Sequence, residues 1–310
     1  LSEGTYSDCT ITVTDSAGNA SSSLTMNSFV VDTTSPTVSS TSPSDSASSV
    51  SIGSTISVTF SESIDNSSVT ANTSNTTCSE SMQLSSNNFS SCIQMSSTPS
   101  ASNTNKTFSV TPSDNLSSET SYKTRITTGV KDLAGNALGS TYTTSNGFTS
   151  ADVTAPILSQ VTAVSTPTND NTSSYTFSST EAGTITYGGS CSSDNTSATI
   201  DNNTVTFNAL ADGTYNNCTI TVTDSASNAS STLDVNTFVV DTTAPILSQV
   251  TAITTPTNDT TPSYTFSSNE AGSITYGGSC SSDNSSAISG NNTITFNSLS
   301  NGTFSNCTIA

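Results

Sequence analysis

The stretch CTITVTDSASNA, at Cys218–Ala229, predicts how the chain folds. Its apolar residues alternate with threonines, which is the period of a strand with one buried and one solvated face. The same alternation occurs in TISVTF (Thr55–Phe60), TITYGG (Thr184–Gly189) and NTVTF (Asn203–Phe207). Because Ser, Asn, Gly and Asp turns separate these short runs, we expect an all-β protein built from β-sandwiches.

The composition is unusual for a folded protein. Ser and Thr account for 129 of the 310 residues, and Leu, Ile, Val and Phe for only 56. Such a composition is typical of a solvated, disordered stalk, but the strict alternation favours folded strands around small cores.

The charge balance bears on the possible partners. Four Lys and Arg residues stand against 23 Asp and Glu, which gives a net charge of −19. Phosphate binding needs a basic surface, so nucleic acid is not expected as a partner. An anionic membrane surface is an equally poor one, and no stretch is apolar and long enough for direct membrane insertion.

An internal repeat of 89 residues organises the chain. The sequence TAPILSQVTAVSTPTND at Thr154–Asp170 returns as TAPILSQVTAITTPTND at Thr243–Asp259. The first residues match the end of the same repeat, with DSAGN at Asp15–Asn19 in the place of DSASN. We expect the chain to be a window on a longer tandem array and to contain four segments. These are 1–32, the C-terminal part of a truncated repeat; 33–150, a different unit with an insertion; 151–241, a complete repeat; and 242–310, a repeat truncated at its C-terminal end.

Two bacterial families are similar to these segments. The repeats resemble bacterial immunoglobulin-like repeats of large secreted surface and adhesin-type proteins, through VVDTTAP, LADGTY (Leu210–Tyr215) and TVTDSASN. Residues 33–150 resemble the immunoglobulin-like domain of S-layer (SbsA-type) surface proteins, through ISVTFSESID, TFSVTPSDNLSSETSY and TTGVKDLAGNAL. The resemblance implies tandem immunoglobulin-like β-sandwiches in an elongated array, secreted or attached to the cell surface.

Seven cysteines in a chain with so few apolar residues indicate an oxidising, extracytoplasmic location. The repeat register and the neighbouring positions of two predicted strands, GTITYGG (183–189) and GTYNNCTITVTD (213–224), select two pairs, and a third pair would close the insertion. The predicted disulfides are Cys78–Cys92, Cys191–Cys218 and Cys280–Cys307. Cys9 then remains alone, with its partner expected 27 residues earlier. The alternative, a zinc site, is poorly supported because the chain has no His and no C-x-x-C motif.

Acidic residues recur at equivalent places in the units. Each junction has the pattern D-x-T-[AS]-P, in which Pro makes the linker short and stiff. In the repeat of residues 151–241, a Glu follows the predicted strand SSYTFSS (173–179). An Asp ends the predicted strand GTYNNCTITVTD (213–224), and an Asn lies four residues after that Asp. In a sandwich these three elements meet at the pole where the chain enters. The predicted metal ligands are Asp32, Glu62, Asp132, Asn136, Asp152, Glu181, Asp224, Asn228, Asp241 and Glu270.

Two interpretations account for this pattern. In the first, the Asp and Asn form an Asx-type hairpin turn and nothing more. In the second, the carboxylates hold Ca²⁺, because charges about 4 Å apart repel by about 4 kcal/mol at an effective dielectric of 20 unless a cation lies between them. The turn alone does not explain why the Glu and the linker Asp recur at the same pole.

Enzyme activity is not expected. Without His, the usual general base for a Ser or Cys nucleophile is missing, and without Trp there is no obvious aromatic platform for a sugar. We predict a stalk, spacer or adhesive segment whose partners are neighbouring domains of the same chain and an unknown host, cell-surface or biofilm ligand. The alternatives are a self-assembling surface layer or filament and, less favoured, a carbohydrate-binding module.

Overall fold

The computed structural model describes residues 1–310 as an all-β protein with no α-helix, which confirms the predicted fold class. Two compact units make up the chain. The first comprises residues 1–155 and 224–228, and the second residues 156–223 and 229–310. No helix has the length and hydropathy needed to cross a membrane.

The first 32 residues form two short hairpin-like pairs. The strands are β1 (Gly4–Tyr6), β2 (Thr10–Ile11), β3 (Leu24–Thr25) and β4 (Phe29–Val31). Strand β1 pairs with β4 and β2 with β3, both antiparallel. Leu24 and Val30 are 68% and 66% exposed, so these strands leave much of their apolar surface uncovered.

Residues 38–149 form a sandwich of two four-stranded sheets. The strands are β5 (Val38–Ser42), β6 (Ile56–Phe60), β7 (Met82–Ser85), β8 (Ser100–Ser102), β9 (Thr107–Val110), β10 (Ser121–Ile126), β11 (Tyr142–Thr143) and β12 (Phe148–Thr149), with a 3₁₀ turn at Asn66–Ser68. One sheet has the order β5-β6-β9-β8; in the other, β11, β12 and β7 all pair with β10. Alternate residues of β6 are fully buried, and Val58 and Phe60 pack with Phe108, Leu84 and Ile126 in the core.

Residues 158–240 form a second complete sandwich. Its strands are β13 (Leu158–Thr162), β14 (Ser174–Ser179), β15 (Gly183–Gly188), β16 (Ser197–Ala198), β17 (Asp201–Thr206), β18 (Gly213–Tyr215), β19 (Thr219–Thr223), β20 (Leu233–Asp234) and β21 (Phe238–Val240). The sheets have the orders β13-β14-β17 and β16-β15-β19-β20, with β18 paired to β21.

Two strands that the sequence predicts in residues 153–241 are broken in the structure. The runs GTYNNCTITVTD (213–224) and STLDVNTFVVD (231–241) each have the pattern of a single strand, but each forms two, β18 with β19 and β20 with β21. An Asn at each break bonds to another loop instead of continuing the ladder. The side-chain oxygen of Asn217 accepts the Ser190 N–H at 3.2 Å, and Asn236 bonds both backbone groups of Val164, at 2.9 and 3.0 Å.

Residues 247–309 repeat this plan in part. The strands are β22 (Leu247–Thr251), β23 (Ser263–Ser268), β24 (Gly272–Ser273), β25 (Tyr276–Gly277), β26 (Ser286–Ala287), β27 (Gly290–Thr295) and β28 (Thr308–Ile309). They form the sheet β22-β23-β27 and the pairs β24–β26 and β25–β28. Counterparts of β20 and β21, 89 residues later, would fall at about positions 322–329, outside the 310-residue sequence.

The three predicted disulfides are confirmed, and the zinc interpretation is therefore wrong for these six cysteines. Their Cα atoms lie 5.2, 5.2 and 5.3 Å apart, within the usual range for a disulfide. Cys9 is unpaired and half-buried. Cys218 lies immediately before β19, at the break described above, rather than inside a strand as expected.

Candidate metal site

The loop at Asp132 is an Asx-type turn. One carboxylate oxygen of Asp132 accepts the backbone N–H groups of Ala134 and Asn136, both at 2.8 Å. The other accepts the Asn136 side-chain amide at 2.8 Å. Gly135 takes a φ of +95°, which suits glycine. The turn alone thus explains why an Asp and an Asn recur four residues apart.

The same loop forms at Asp15 and at Asp224. Asn19 donates its side-chain amide to Asp15 at 3.0 Å, and Asn228 does so to Asp224 at 2.9 Å. Ser227 adopts a φ of 75° in the place of glycine, so the loop does not require glycine there. Asp15 belongs to no group of three acids. The turn therefore forms whether or not other carboxylates lie nearby.

Around Asp132, however, carboxylates from three separate elements come together. One oxygen each from Asp32, Glu62 and Asp132 lies within 4.8 Å of the other two. Asp32 belongs to the segment between β4 and β5, and Glu62 follows β6. A β-bridge between Ile64 and Asp132 joins the two loops, and Asn136 donates to the Asp32 carbonyl at 3.1 Å. The turn requires neither Asp32 nor Glu62.

Electrostatics at this cluster favour a cation. Asp132 is only 2% exposed, and Asp32 and Glu62 are half-buried. Burial raises the pKa of Glu62, and three neighbouring negative charges raise it further, those of Asp32, Asp132 and Glu3. The positive charge of Lys106 lowers this pKa, but by less. Burial alone would also raise the pKa of Asp132, but hydrogen bonds from Asn136 and the neighbouring backbone amides outweigh it and lower that pKa.

The donor set fits a hard divalent ion. Ca²⁺ binds six to eight oxygens at about 2.3–2.6 Å, so two ligands of one ion are at most about 5 Å apart. The separation of 4.8 Å is inside that limit. Waters and backbone carbonyls would complete the shell. The Asn136 amide acts as a donor in the turn, and a ligand role for its oxygen stays a prediction.

The other predicted ligands are distributed as follows. The first unit contains Asp152, Asp224 and Asn228. One carboxylate oxygen of Asp152 lies within 4.8 Å of one of Asp224, and the Asn228 side-chain amide donates to the Asp152 carbonyl at 3.4 Å. Glu181 lies in the second unit, just after β14. Asp241 and Glu270 also lie there; no third acid is grouped with them. The metal role of all these residues stays a prediction.

Two further acids contact the linkers, and the sequence reasoning missed both. Glu3 accepts the hydroxyls of Thr33 and Thr34 at 3.3 and 2.8 Å. Asp212 accepts two threonine hydroxyls of the following D-T-T segment, each at 2.7 Å, and these bonds lower its pKa. The recurrence of EGTY and DGTY at these positions was the available signal.

Comparison with known proteins identifies one part of the chain. The family model for the bacterial Ig-like domain matches residues 32–150. No curated protein matches the chain.

Among solved structures, the N-terminal part of the bacterial S-layer protein SbsC has a TM-score of 0.28 at 13% identity, over 84% of this chain and 44% of that one. The structure of SbsC domains 1–6 has a TM-score of 0.27 at 14% identity, over 89% of this chain and 53% of that one. Escherichia coli alpha-2-macroglobulin, domains MG0-NIE-MG1, has a TM-score of 0.26 at 11% identity, over 84% of this chain and 90% of that one. The chain thus spans about half the length of the S-layer structures, and at these TM-scores none of the likenesses carries an argument.

The sandwich at residues 38–149, with its eight strands in two sheets, agrees with the family match in both extent and fold class. Residues 32–150 of this chain are a bacterial Ig-like domain.

Proposed function

We propose that the chain is a non-enzymatic structural region of a large bacterial surface or secreted protein, acting as a stalk, spacer or adhesive segment. The Ig-like domain supports this, because its family is non-catalytic. Three disulfides support an extracellular setting, since such bonds persist in oxidising environments. The acidic, Ser- and Thr-rich surface would keep neighbouring copies apart and soluble.

Calcium at the domain junctions is the second part of the proposal. The observation that carries it is the group of Asp32, Glu62 and Asp132, whose oxygens lie within 4.8 Å of one another. Asp32 lies in the segment between β4 and β5, before the first strand of the sandwich, whereas Glu62 and Asp132 lie in loops of the sandwich itself. An ion held by all three would fix the linker to the domain and restrict its orientation.

Three partly desolvated carboxylates this close repel one another by an amount between about 1 kcal/mol per pair in bulk water and about 4 kcal/mol at an effective dielectric of 20. Lys106 is the one basic side chain among the charges that act on Glu62. A bound divalent cation would convert this repulsion into attraction.

The test is thermal unfolding with small-angle scattering, in millimolar calcium and in chelator. A ligand that binds only the folded state at 100 times its Kd stabilises it by about 2.7 kcal/mol, so we expect a melting temperature several degrees higher in calcium. Glu62→Gln should reduce this increase. Glu119→Gln is the matched control, since Glu119 is exposed and outside the cluster. Identical melting and scattering curves under both conditions would contradict the calcium proposal.

A further inference from the structure

Two of the four basic side chains share the outer face of one sheet in the Ig-like domain. Lys123 and Arg125 alternate along β10 with Thr124 and Ile126, which are buried. Side chains two residues apart on a strand point to the same side, so the two cations face outward, roughly 7 Å apart along the strand. Positive charge is thus concentrated on one face in a chain whose net charge is −19.

The insertion, residues 72–92, places an aromatic ring on the same face. Its last part turns back over β7, where Ser85 donates to the Ser91 carbonyl at 2.7 Å and accepts the Phe89 N–H at 2.9 Å. Phe89 takes a φ of +64°, which is unfavourable for a bulky side chain. Such strain persists only where the surrounding structure holds the residue in place, and here the ring is held against Arg125.

Arg125 is fixed by two contacts that leave most of its donors open. Its Nε donates to the Gln83 side-chain oxygen at 2.7 Å, and its guanidinium carbon lies 3.9 Å from the centroid of the Phe89 ring. Gln83 is held in turn, since its amide donates to the Glu80 carbonyl at 2.6 Å. Neither contact of Arg125 uses its two terminal nitrogens, whose N–H groups can bind a carboxylate in bidentate fashion. Arg125 is therefore preorganised for an anionic group, which reduces the entropy lost on binding.

No acid occupies an outward position on these strands. Thr143 pairs with Arg125 and Thr149 with Ser121, so these three hydroxyl side chains share the face of the two cations. Glu80, which precedes β7, accepts a neighbouring serine hydroxyl at 3.4 Å. The face therefore offers positive charge together with hydroxyl groups that can form hydrogen bonds.

We propose that this face, formed by Phe89, Lys123, Arg125 and Thr143, binds an acidic polysaccharide whose sugar rings carry carboxylates. Arg125 would bind one carboxylate through parallel hydrogen bonds, since both groups are planar. Lys123 would attract a second carboxylate, and Thr143 would bond a sugar hydroxyl. Recognition by charge does not need the Trp platform that the chain lacks. The proposal concerns a different surface from the calcium cluster and does not depend on it.

Other acidic partners fit this face less well. An acidic peptide bound by strand addition needs a free strand edge, but β10 is paired with β7, β11 and β12. A second copy of the chain has the same net charge of −19, so two copies repel each other. Nucleic acid needs more positive charge than two side chains supply. A saccharide can lie across the face of a sheet whose strands are already paired.

Isothermal titration of the 310-residue chain with an oligomer of galacturonic acid, in chelator, tests the proposal. We expect saturable binding, and none to a neutral galactose oligomer of the same length. Arg125→Gln and Lys123→Gln should each weaken binding about tenfold, the effect of one charge-assisted hydrogen bond. Lys131→Gln is the matched control, because it removes the same charge from an exposed residue that follows β10. Its affinity should equal that of the wild type.

A second variant tests the ring. Phe89→Gly suits the left-handed backbone and removes only the contact with Arg125, so we expect binding about two- to fivefold weaker and an intact domain in thermal unfolding. The proposal is wrong if the wild type does not bind the acidic oligomer, if the neutral oligomer binds equally well, or if Arg125→Gln and Lys131→Gln bind with the same affinity. Equally tight binding of polyglutamate would also contradict it, because the face would then recognise acidic proteins.

Discussion

Glu62 lies where its own charge is unfavourable in the absence of a cation. Burial, and then the charges of Asp32, Asp132 and Glu3, raise its pKa above the ordinary value. In the pH range between that ordinary value and the raised one, the folded chain holds a proton that the unfolded chain has lost. The stability that this proton contributes is complete below the range and is lost as pH rises through it.

Glu62→Gln should therefore have effects of opposite sign with and without calcium. In chelator at neutral pH we expect it to stabilise the chain by about 1 kcal/mol, the size of one charge repulsion in a largely solvated setting. In calcium it should reduce the gain seen for the wild type. Denaturant unfolding under the two conditions measures both effects. A destabilised variant in chelator would contradict this account of Glu62.

In contrast to Glu62, Asp132 is predicted to stabilise the folded domain when its carboxylate is charged. Its carboxylate is buried and accepts three hydrogen bonds within its turn, so Asp132→Ala should destabilise the domain by about 1–3 kcal/mol through unsatisfied donors. Because hydrogen bonding lowers its pKa, this stability is present above the ordinary Asp pKa and is lost as pH falls through the lowered one. Unfolding curves from neutral to acidic pH measure the effect. Asp15→Ala, in an equivalent but exposed turn, is the control and should cause a smaller loss.

A residue of the site could be predicted from the sequence where its type recurs at the equivalent position of other units. The acids of the linker and of the two loops recur at equivalent positions, and strand order places those loops at one pole, so the group at Asp32 could be predicted. Glu3 could not be predicted in the same way, because its role depends on hydroxyl contacts with Thr33 and Thr34 that no spacing specifies.

At the scale of elements, alternation predicted most strands because Thr and Ser mark the solvated face consistently. The breaks at Asn217 and Asn236 were missed, because the alternation continues through them while the side-chain amides bond other loops. The disulfides were predictable from the repeat register together with the pairing of β15 and β19.

The disulfide of the complete repeat should contribute much of its stability. Cys191 and Cys218 close a loop of 27 residues, which the chain-entropy model values at about 3.5 kcal/mol. Replacing both by Ala should reduce the unfolding free energy of that sandwich by about this amount in chemical denaturation. Cys9→Ser is the control, since Cys9 is unpaired. Equal stability of the two variants would show that the disulfide does not brace the sandwich.

At the scale of the whole molecule, a net charge of −19 with so few basic residues makes the chain dependent on counterions. Monovalent salt screens exposed charges at a distance, whereas a gathered set of carboxylates prefers a divalent ion. We therefore expect millimolar calcium to stabilise the chain more than sodium chloride of the same ionic strength does. Melting curves in the two salts measure this difference, and equal shifts would indicate screening alone.

Isothermal titration of calcium into the chain tests the central claim most directly. We predict saturable binding whose stoichiometry falls by one site in Glu62→Gln and is unchanged in Glu119→Gln. Binding heats equal to those of dilution for the wild type, or the same stoichiometry in all three proteins, would contradict a calcium site formed by Asp32, Glu62 and Asp132.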